Sequence, residues 1–209
     1  MEKIVILGAG GLAREVYWHM QGSQYTDFIF VDDITDITEM RLKDSIYPVV
    51  KNWDFTLFDV KKFIVGIGSP KAKKIMVEKA ILSGLTPAET YIHPKSLVQD
   101  ARLGVGGIVA PNCIVTTNVS IGNYVVLNLS CTVGHDAFLD DWVTVNPGAH
   151  ISGNVRVGKG VTLGTGTAIR EEILIAEGAV TGAQTAVVSN LQASGIYVGV
   201  PAKLLKPTL

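Results

Sequence analysis

The chain has 209 residues, 47% of them hydrophobic and 18% charged, with a net charge of −1. That length admits two small domains with buried cores, and the near-neutral balance excludes a basic field that would draw the chain to nucleic acid or anionic lipid. No apolar run is long enough to span a bilayer, and the opening Met1-Glu2-Lys3-Ile4-Val5 is too short and too acidic for a signal peptide, so a cytoplasmic protein with no membrane partner is expected.

In chain order, Lys3-Ile4-Val5-Ile6-Leu7 reads as a fully buried strand. Gly8-Ala9-Gly10-Gly11-Leu12-Ala13 is a tight turn opening a helix that runs to about Gln21. Phe28-Ile29-Phe30-Val31 is the next strand, ending at Asp32-Asp33. A further strand, Phe63 to Gly68, leads into Ser69 as N-cap and Pro70 as the first helical residue. Ala72, Ile75, Met76 and Ala80 form the apolar stripe of that helix, and Gly84 ends it. Glu89-Thr90-Tyr91-Ile92 is a last strand, and His93-Pro94 begins a transition. These βαβ units predict an α/β, Rossmann-like domain over residues 1–93.

From there the period changes. Leu97, Leu103, Val109, Val115, Ile121, Leu127, Val133, Leu139, Val145, Ile151, Val157, Leu163, Ile169, Ile175, Thr181 and Val187 fall on every sixth position, and Thr181 alone is not aliphatic. Six fits neither a helix nor an ordinary half-buried strand. It is the period of a hexapeptide parallel β-helix, expected here to be left-handed and three-sided, returning every eighteen residues. The coils should occupy roughly 97–192, about five turns, within a second domain of residues 94–209. Positions one and five of each hexad face inward, while positions three and four form a corner and point out. Cys113 and Cys131 lie eighteen apart and should stack at the small inward position. Parallel strands sit about 4.8 Å apart, too far for the ~3.8 Å Cβ separation of a good disulfide, so both are read as reduced.

One corner carries chemistry. His135 is followed directly by Asp136, and Gly153 occupies the position of His135 one coil later. An imidazole can take a proton near neutral pH, and a glycine N–H with no side chain over it can stabilise an oxyanion. The pair is a minimal kit for acyl transfer, although the spacing alone fits a solvated corner histidine equally well. Asn128 and Asn146, also eighteen apart, form a short asparagine ladder beside this region. His19, His93 and His150 read as structural or solvated.

Several segments carry a resemblance together: Gly8-Ala9-Gly10-Gly11, Val31-Asp32-Asp33, Gly66 to Lys71, Ile92-His93-Pro94, Asn128 to Asp136, Pro147-Gly148-Ala149, Gly153-Asn154-Val155 and Gly199-Val200-Pro201-Ala202-Lys203. With them the whole chain resembles the hexapeptide-repeat sugar acetyltransferases of the sialic-acid O-acetyltransferase family. That family includes bacterial N-acetyltransferases acting on nucleotide-linked 4-amino-4,6-dideoxy sugars. The resemblance implies acetyl-CoA as donor, no metal, and a homotrimer with the cofactor between neighbouring prisms. It implies His135 as general base, Asp136 as its acidic neighbour and Gly153 as oxyanion donor. Gly153, Thr165, Ala183 and Pro201 would lie along the CoA arm. Asp32 and Asp33 would meet the nucleotide base, Gly8, Gly10 and Gly11 the phosphates, and Asn128 the substrate. Two departures stand out: Thr144 replaces a second histidine that many relatives carry, and Ala13 replaces a frequent glycine.

Other readings compete. Gly8-x-Gly10-x-x-Ala13 with Asp32 imitates a dinucleotide fingerprint, but fewer than ninety residues precede the hinge, too few for a second mononucleotide-binding half. A β-helix carbonic anhydrase needs three histidines around zinc, and the coils hold only His135 and His150. A purely structural trimer would bind no CoA. The acceptor could also be a hydroxyl, as on sialic acid, rather than an amine.

Overall fold

In the computed structural model, which describes residues 2–207, runs of β-branched and aromatic residues at the N-terminal end pair into one sheet. Its elements are β1 (Glu2–Leu7), α1 (Gly11–His19), β2 (Tyr25–Val31), β3 (Glu39–Leu42), β4 (Ser45–Val50), β5 (Lys62–Val65), α2 (Pro70–Leu82) and β6 (Thr86–Pro87). The strand order is β3-β4-β2-β1-β5-β6. Central β1 runs parallel to both neighbours, with Ile4 opposite Phe28 and Ile6 opposite Ile64. Ile4, Val5, Ile6 and Leu7 are all buried, as a parallel strand covered on both faces requires.

Three local readings change. The strand expected to reach Gly68 ends at Val65, opposite Leu7, the last residue of β1; Gly66 then passes so close to β1 that a Cβ there would lie 2.7 Å from Ile6 and 2.9 Å from the Leu7 carbonyl. The β3–β4 hairpin had no sequence signal: its turn is Lys43-Asp44, with Lys43 rather than a glycine at φ 54°. The buried stripe of α2 is Lys73, Met76, Val77 and Ala80, and Ile75 is exposed.

Residues from Tyr91 onward wind into a three-sided parallel β-helix. The first face holds Tyr91–Ile92, Ile108–Val109, Val126–Leu127, Thr144–Val145, Thr162–Leu163 and Val180–Thr181. The second runs from Leu97–Val98 to Ala186–Val187, and the third from Ala101–Leu103 to Leu174–Ile175. Val109 pairs with Leu127 and Leu127 with Val145, the eighteen-residue return. The interior is a column of Val, Ile and Leu with both cysteines inside it. Thr181 keeps its place because its buried hydroxyl meets Thr167 Oγ1 at 2.8 Å and accepts from Gly164 N at 2.9 Å. The series starts one residue later than the spacing implies: Val98, not Leu97, pairs with Val115, and Leu97 is exposed. Tyr91–Ile92, read as the last strand of the first domain, pairs with Ile108–Val109 as the first rung of the coil.

Each edge turns through a left-handed residue. The first edge follows the first face and carries Asn112, Ser130, Gly148, Gly166 and Gln184. The second carries Asn118, Asp136, Asn154 and Glu172, and the third Gly106, Tyr124, Trp142, Gly160 and Gly178. The α/β unit packs on the first face and third edge. Phe63 stacks on Tyr124 and Tyr124 on Trp142, with ring centroids 6.3 and 4.4 Å apart.

The same contact buries a lysine completely. Lys73 Nζ donates to the Tyr124 carbonyl at 3.0 Å, the Val143 carbonyl at 3.1 Å and Thr144 Oγ1 at 2.8 Å. Thr144 passes its own proton to the Gly68 carbonyl at 2.6 Å. Thr144 is therefore a joint between the two units. Burial lowers the Lys73 pKa to about 7, so between that pH and the ordinary lysine range the unfolded chain holds a proton the folded chain has released. Stability should rise with pH through this window. Lys73→Met should flatten the rise of the melting midpoint between pH 7 and 9.5, and equal slopes for the two proteins would show that Lys73 stays charged throughout.

Candidate active site

The second edge builds the first centre. Val133 pairs with Ile151, which sets His135 beside Gly153, and Asn154 N donates to the His135 carbonyl at 2.8 Å. His135 Nδ1 lies 2.8 Å from Asp136 Oδ2. Asp136 can point there because it takes the left-handed conformation, φ 61°, which aspartate tolerates. Asp136 Oδ1 accepts from Asn118 Nδ2 at 2.6 Å. The Asn118 amide and then the His135 ring hold the Asp136 carboxyl below the usual carboxylate range. An ionised carboxylate only accepts, so Nδ1 carries a proton, and in the neutral ring Nε2 is then the bare nitrogen that can act as a base.

That bare edge lies over Gly153. A Cβ on Gly153 would sit 2.5 Å from both Cε1 and Nε2 of His135, so only glycine leaves room for the ring. Gly134 packs on the same strand turn, where a Cβ would come within 2.7 Å of the Gly153 nitrogen. Among the described residues no acceptor takes the Gly153 N–H. The His135 and Asp136 side chains remain 59% and 43% exposed, open to a partner or ligand.

The second centre is a cavity of about 280 Å³ in the α/β unit, lined by Gly8, Gly10, Gly11, Asp32, Asp33 and Gly68 among others. It opens at the N-terminus of α1, where Gly10 as N-cap supplies no side-chain hydrogen bond, leaving first-turn N–H groups for an anion. Gly8 has φ 105° and lies against Ile67, a position other residues could not hold. Asp32 is committed internally: Oδ2 accepts from Ala9 N at 3.2 Å, and Oδ1 from Ile34 N and Thr35 N at 2.8 and 2.9 Å. Those backbone donors keep its carboxyl ionised despite burial, which alone would raise its pKa. Asp33 accepts from Trp53 Nε1 at 2.7 Å and pairs with Lys79. Asp32 therefore shapes the glycine turn, and Asp33 is the more exposed of the pair.

The remaining predicted residues lie elsewhere. Thr165 and Ala183 sit on consecutive turns of the first edge, where Gln184 N donates to the Thr165 carbonyl at 2.8 Å. Thr165, His150, Ser130 and Pro147 line a shallow groove there. Asn128 is on this edge too, its Oδ1 accepting from Leu129 N at 2.8 Å. It is apart from both the α/β cavity and His135, and so is the ladder with Asn146. Pro201 is at the far end of the coil, where Ala202 N bonds the Ala186 carbonyl at 2.8 Å. In a three-sided prism the second edge stands opposite the first face. Within one chain, His135 thus lies across the prism from the α/β unit, and on a different edge from Thr165 and Ala183.

Sequence reasoning passed over Asn118 and Lys73. Asn118 had a signal, the eighteen-residue step to Asp136. Lys73 had none, lying in a run of lysines with Lys71 and Lys74, both exposed. His150 bonds Thr132 Oγ1 through Nδ1 at 3.0 Å, and His93 Nδ1 accepts from Lys95 N at 3.1 Å. Burial, and His93 beside it, lower the His19 pKa. Among the described residues no group of three His, Cys, Asp or Glu side chains is arranged to hold a metal ion, and no helix is long and apolar enough to cross a membrane.

Comparison with known proteins agrees with this fold. Residues 3–80 match the PglD N-terminal domain family. GDP-perosamine N-acetyltransferase of Escherichia coli O157:H7 is 30% identical over 141 residues, covering 63% of this chain and 61% of that protein. The alignment thus spans less than two thirds of the curated relative. Among solved structures, the acetyltransferase domain of PglB from Neisseria gonorrhoeae FA1090 in complex with acetyl coenzyme A superposes with a TM-score of 0.87 at 28% identity, covering 98% of this chain and 99% of that one. PerB from Caulobacter crescentus in complex with CoA and GDP-perosamine gives 0.86 at 25% identity, covering 98% and 97%. The chain thus carries a match to the PglD N-terminal domain over residues 3–80 and shares its fold, end to end, with solved sugar acetyltransferases.

Proposed function

We propose that the chain transfers the acetyl group of acetyl-CoA to the amino group of a nucleotide-linked amino-deoxysugar. The observation that carries this reading is the His135 ring lying on Gly153, with Nδ1 tied to Asp136 and Nε2 bare. Nε2 takes a proton from the amine as its nitrogen attacks the thioester carbonyl. The oxyanion receives the Gly153 N–H, the C–S bond breaks, and the CoA thiolate leaves with a proton. The transfer is direct, in a ternary complex. Cys113 and Cys131 are buried and give their S–H to the Asn128 and Asn146 carbonyls at 3.0 and 3.2 Å, so neither is available as a nucleophile.

In this reading residues 1–93 hold the nucleotide sugar and residues 94–209 carry the transfer. The relatives' complexes with CoA and GDP-perosamine support both ligands. The separation of His135 from Thr165, Ala183 and the α/β cavity supports a homotrimer in which a neighbouring copy completes each site, a state that light scattering reads directly.

The test is acetyl transfer from acetyl-CoA to nucleotide-linked amino sugars, with free sialic acid as the competing acceptor. Asp33→Ala should raise KM for the nucleotide sugar about five- to tenfold, the loss of one charge-assisted hydrogen bond, and leave KM for acetyl-CoA unchanged. Equal KM values in mutant and wild type, with sialic acid acetylated instead, would move the acceptor to the coils and to O-acetylation.

A further inference from the structure

The second edge carries a line of polar residues below the histidine. Asp100 Oδ2 accepts from Thr117 Oγ1 and from Asn118 N, both at 3.1 Å. Asn118 Nδ2 donates to Asp136 Oδ1 at 2.6 Å, and Asp136 N donates to the Thr117 carbonyl at 3.1 Å. Asp136 Oδ2 then meets His135 Nδ1. Asp100, Asn118 and Asp136 are successive turns of the coil, eighteen residues apart, so an amide stands between two carboxylates. An amide is the neutral group that can donate to one side while its backbone is held from the other.

From this alignment we infer that Asn118 is a positioning residue for the proposed acetyl transfer, fixing the rotamer of Asp136 so that its second oxygen holds His135 in the tautomer with Nε2 bare. The inference rests on the acetyltransferase reading only for the choice of reaction, since the chain of contacts is a property of the free protein. A carboxylate exposed to 43% would otherwise exchange rotamers in solvent. With Oδ1 tied from below, one oxygen remains for the ring. The other charged groups of this edge are Asp100 one turn below Asn118, and Glu171 and Glu172 two turns above Asp136, with Arg170 beside them.

Asn118 has φ 54°, a conformation glycine takes at no cost. Asn118→Gly therefore removes the amide and keeps the turn, which makes it a cleaner variant than alanine. The expected result is a fall in kcat of about tenfold, the size of one hydrogen bond to a charged group, with KM for acetyl-CoA and the melting midpoint held. The imidazole nitrogen NMR shifts of His135 should move toward a mixture of tautomers, because a ring without a fixed carboxylate can carry its proton on either nitrogen.

In an Asp136→Ala background the same change should have no further effect, since the amide acts only through that carboxylate. An equal tenfold loss in both backgrounds would overturn the inference. So would identical imidazole nitrogen shifts, the signature of the tautomer, in wild type and Asn118→Gly. A wild-type protein without acetyl-transfer activity whose tautomer signature still changes in Asn118→Gly would remove the proposed reaction and leave the positioning role standing.

Discussion

His135→Ala should lower acetyl transfer by about 10²–10⁴-fold, the usual contribution of a general base, and leave the affinity for acetyl-CoA nearly intact. The size follows from the geometry. Asp136 occupies Nδ1, so the ring has one free nitrogen, and that nitrogen lies over Gly153, where a thioester carbonyl would develop its charge. Removing the ring removes the proton acceptor and leaves the Gly153 N–H and the groove on the first edge untouched. Structural damage should be slight, because the side chain is largely exposed and lies on a corner outside the packed column. Steady-state rates against acetyl-CoA affinity by calorimetry provide the check. A mutant within a factor of a few of wild type would take His135 out of the reaction.

Gly153→Ala should cost about 10²–10³-fold, comparable to losing an oxyanion donor, while the melting midpoint stays within a few degrees of wild type. The added methyl would lie 2.5 Å from Nε2, a distance atoms do not tolerate. What it strikes is the free end of a side chain, not backbone, so the cheap response is for the imidazole to swing away. The protein then folds with its base displaced from the carbonyl it must serve. Activity near wild type would mean that the ring does not sit over Gly153 when substrate is bound. A large loss of melting temperature would mean that the clash is relieved in the coil instead.

The coil was the most legible part of the chain. A side chain that must return to the same inward position every eighteen residues leaves a trace that survives many substitutions. The first rung was misread by one residue, since Leu97 and Val98 are both apolar and only pairing with Val115 separates them. The His135–Gly153 proximity was legible for the same reason, register alone predicting it. Much less visible was anything that depends on contact between the two units. Nothing in Lys71-Ala72-Lys73-Lys74 says which lysine turns inward, because the acceptors that receive Lys73 are carbonyls of Tyr124 and Val143, some fifty and seventy residues away. The Asp32-Asp33 pair was legible as a strand end facing a cavity, but its division of labour was not. Asp32 spends its oxygens on Ala9, Ile34 and Thr35, a local turn geometry that composition does not encode.

The segment from Leu191 to Pro207 has a consequence for growth. A stack of parallel rungs resembles a short fibre, and its open end would template another copy. Here each side of the prism is stopped differently. Leu191 bonds across to Leu174 and Ala176 on the third face, and Gly199 and Ala202 meet Ala186 on the second. On the first face Gly195–Val198 adds one more rung, and Lys203–Pro207 turns back against it in the opposite direction. That outermost strand is exposed throughout, carries Lys203 and Lys206, and ends in Pro207, which has no N–H to offer. The C-terminal end of the coil is therefore a ladder covered by its own chain rather than an open template for another copy.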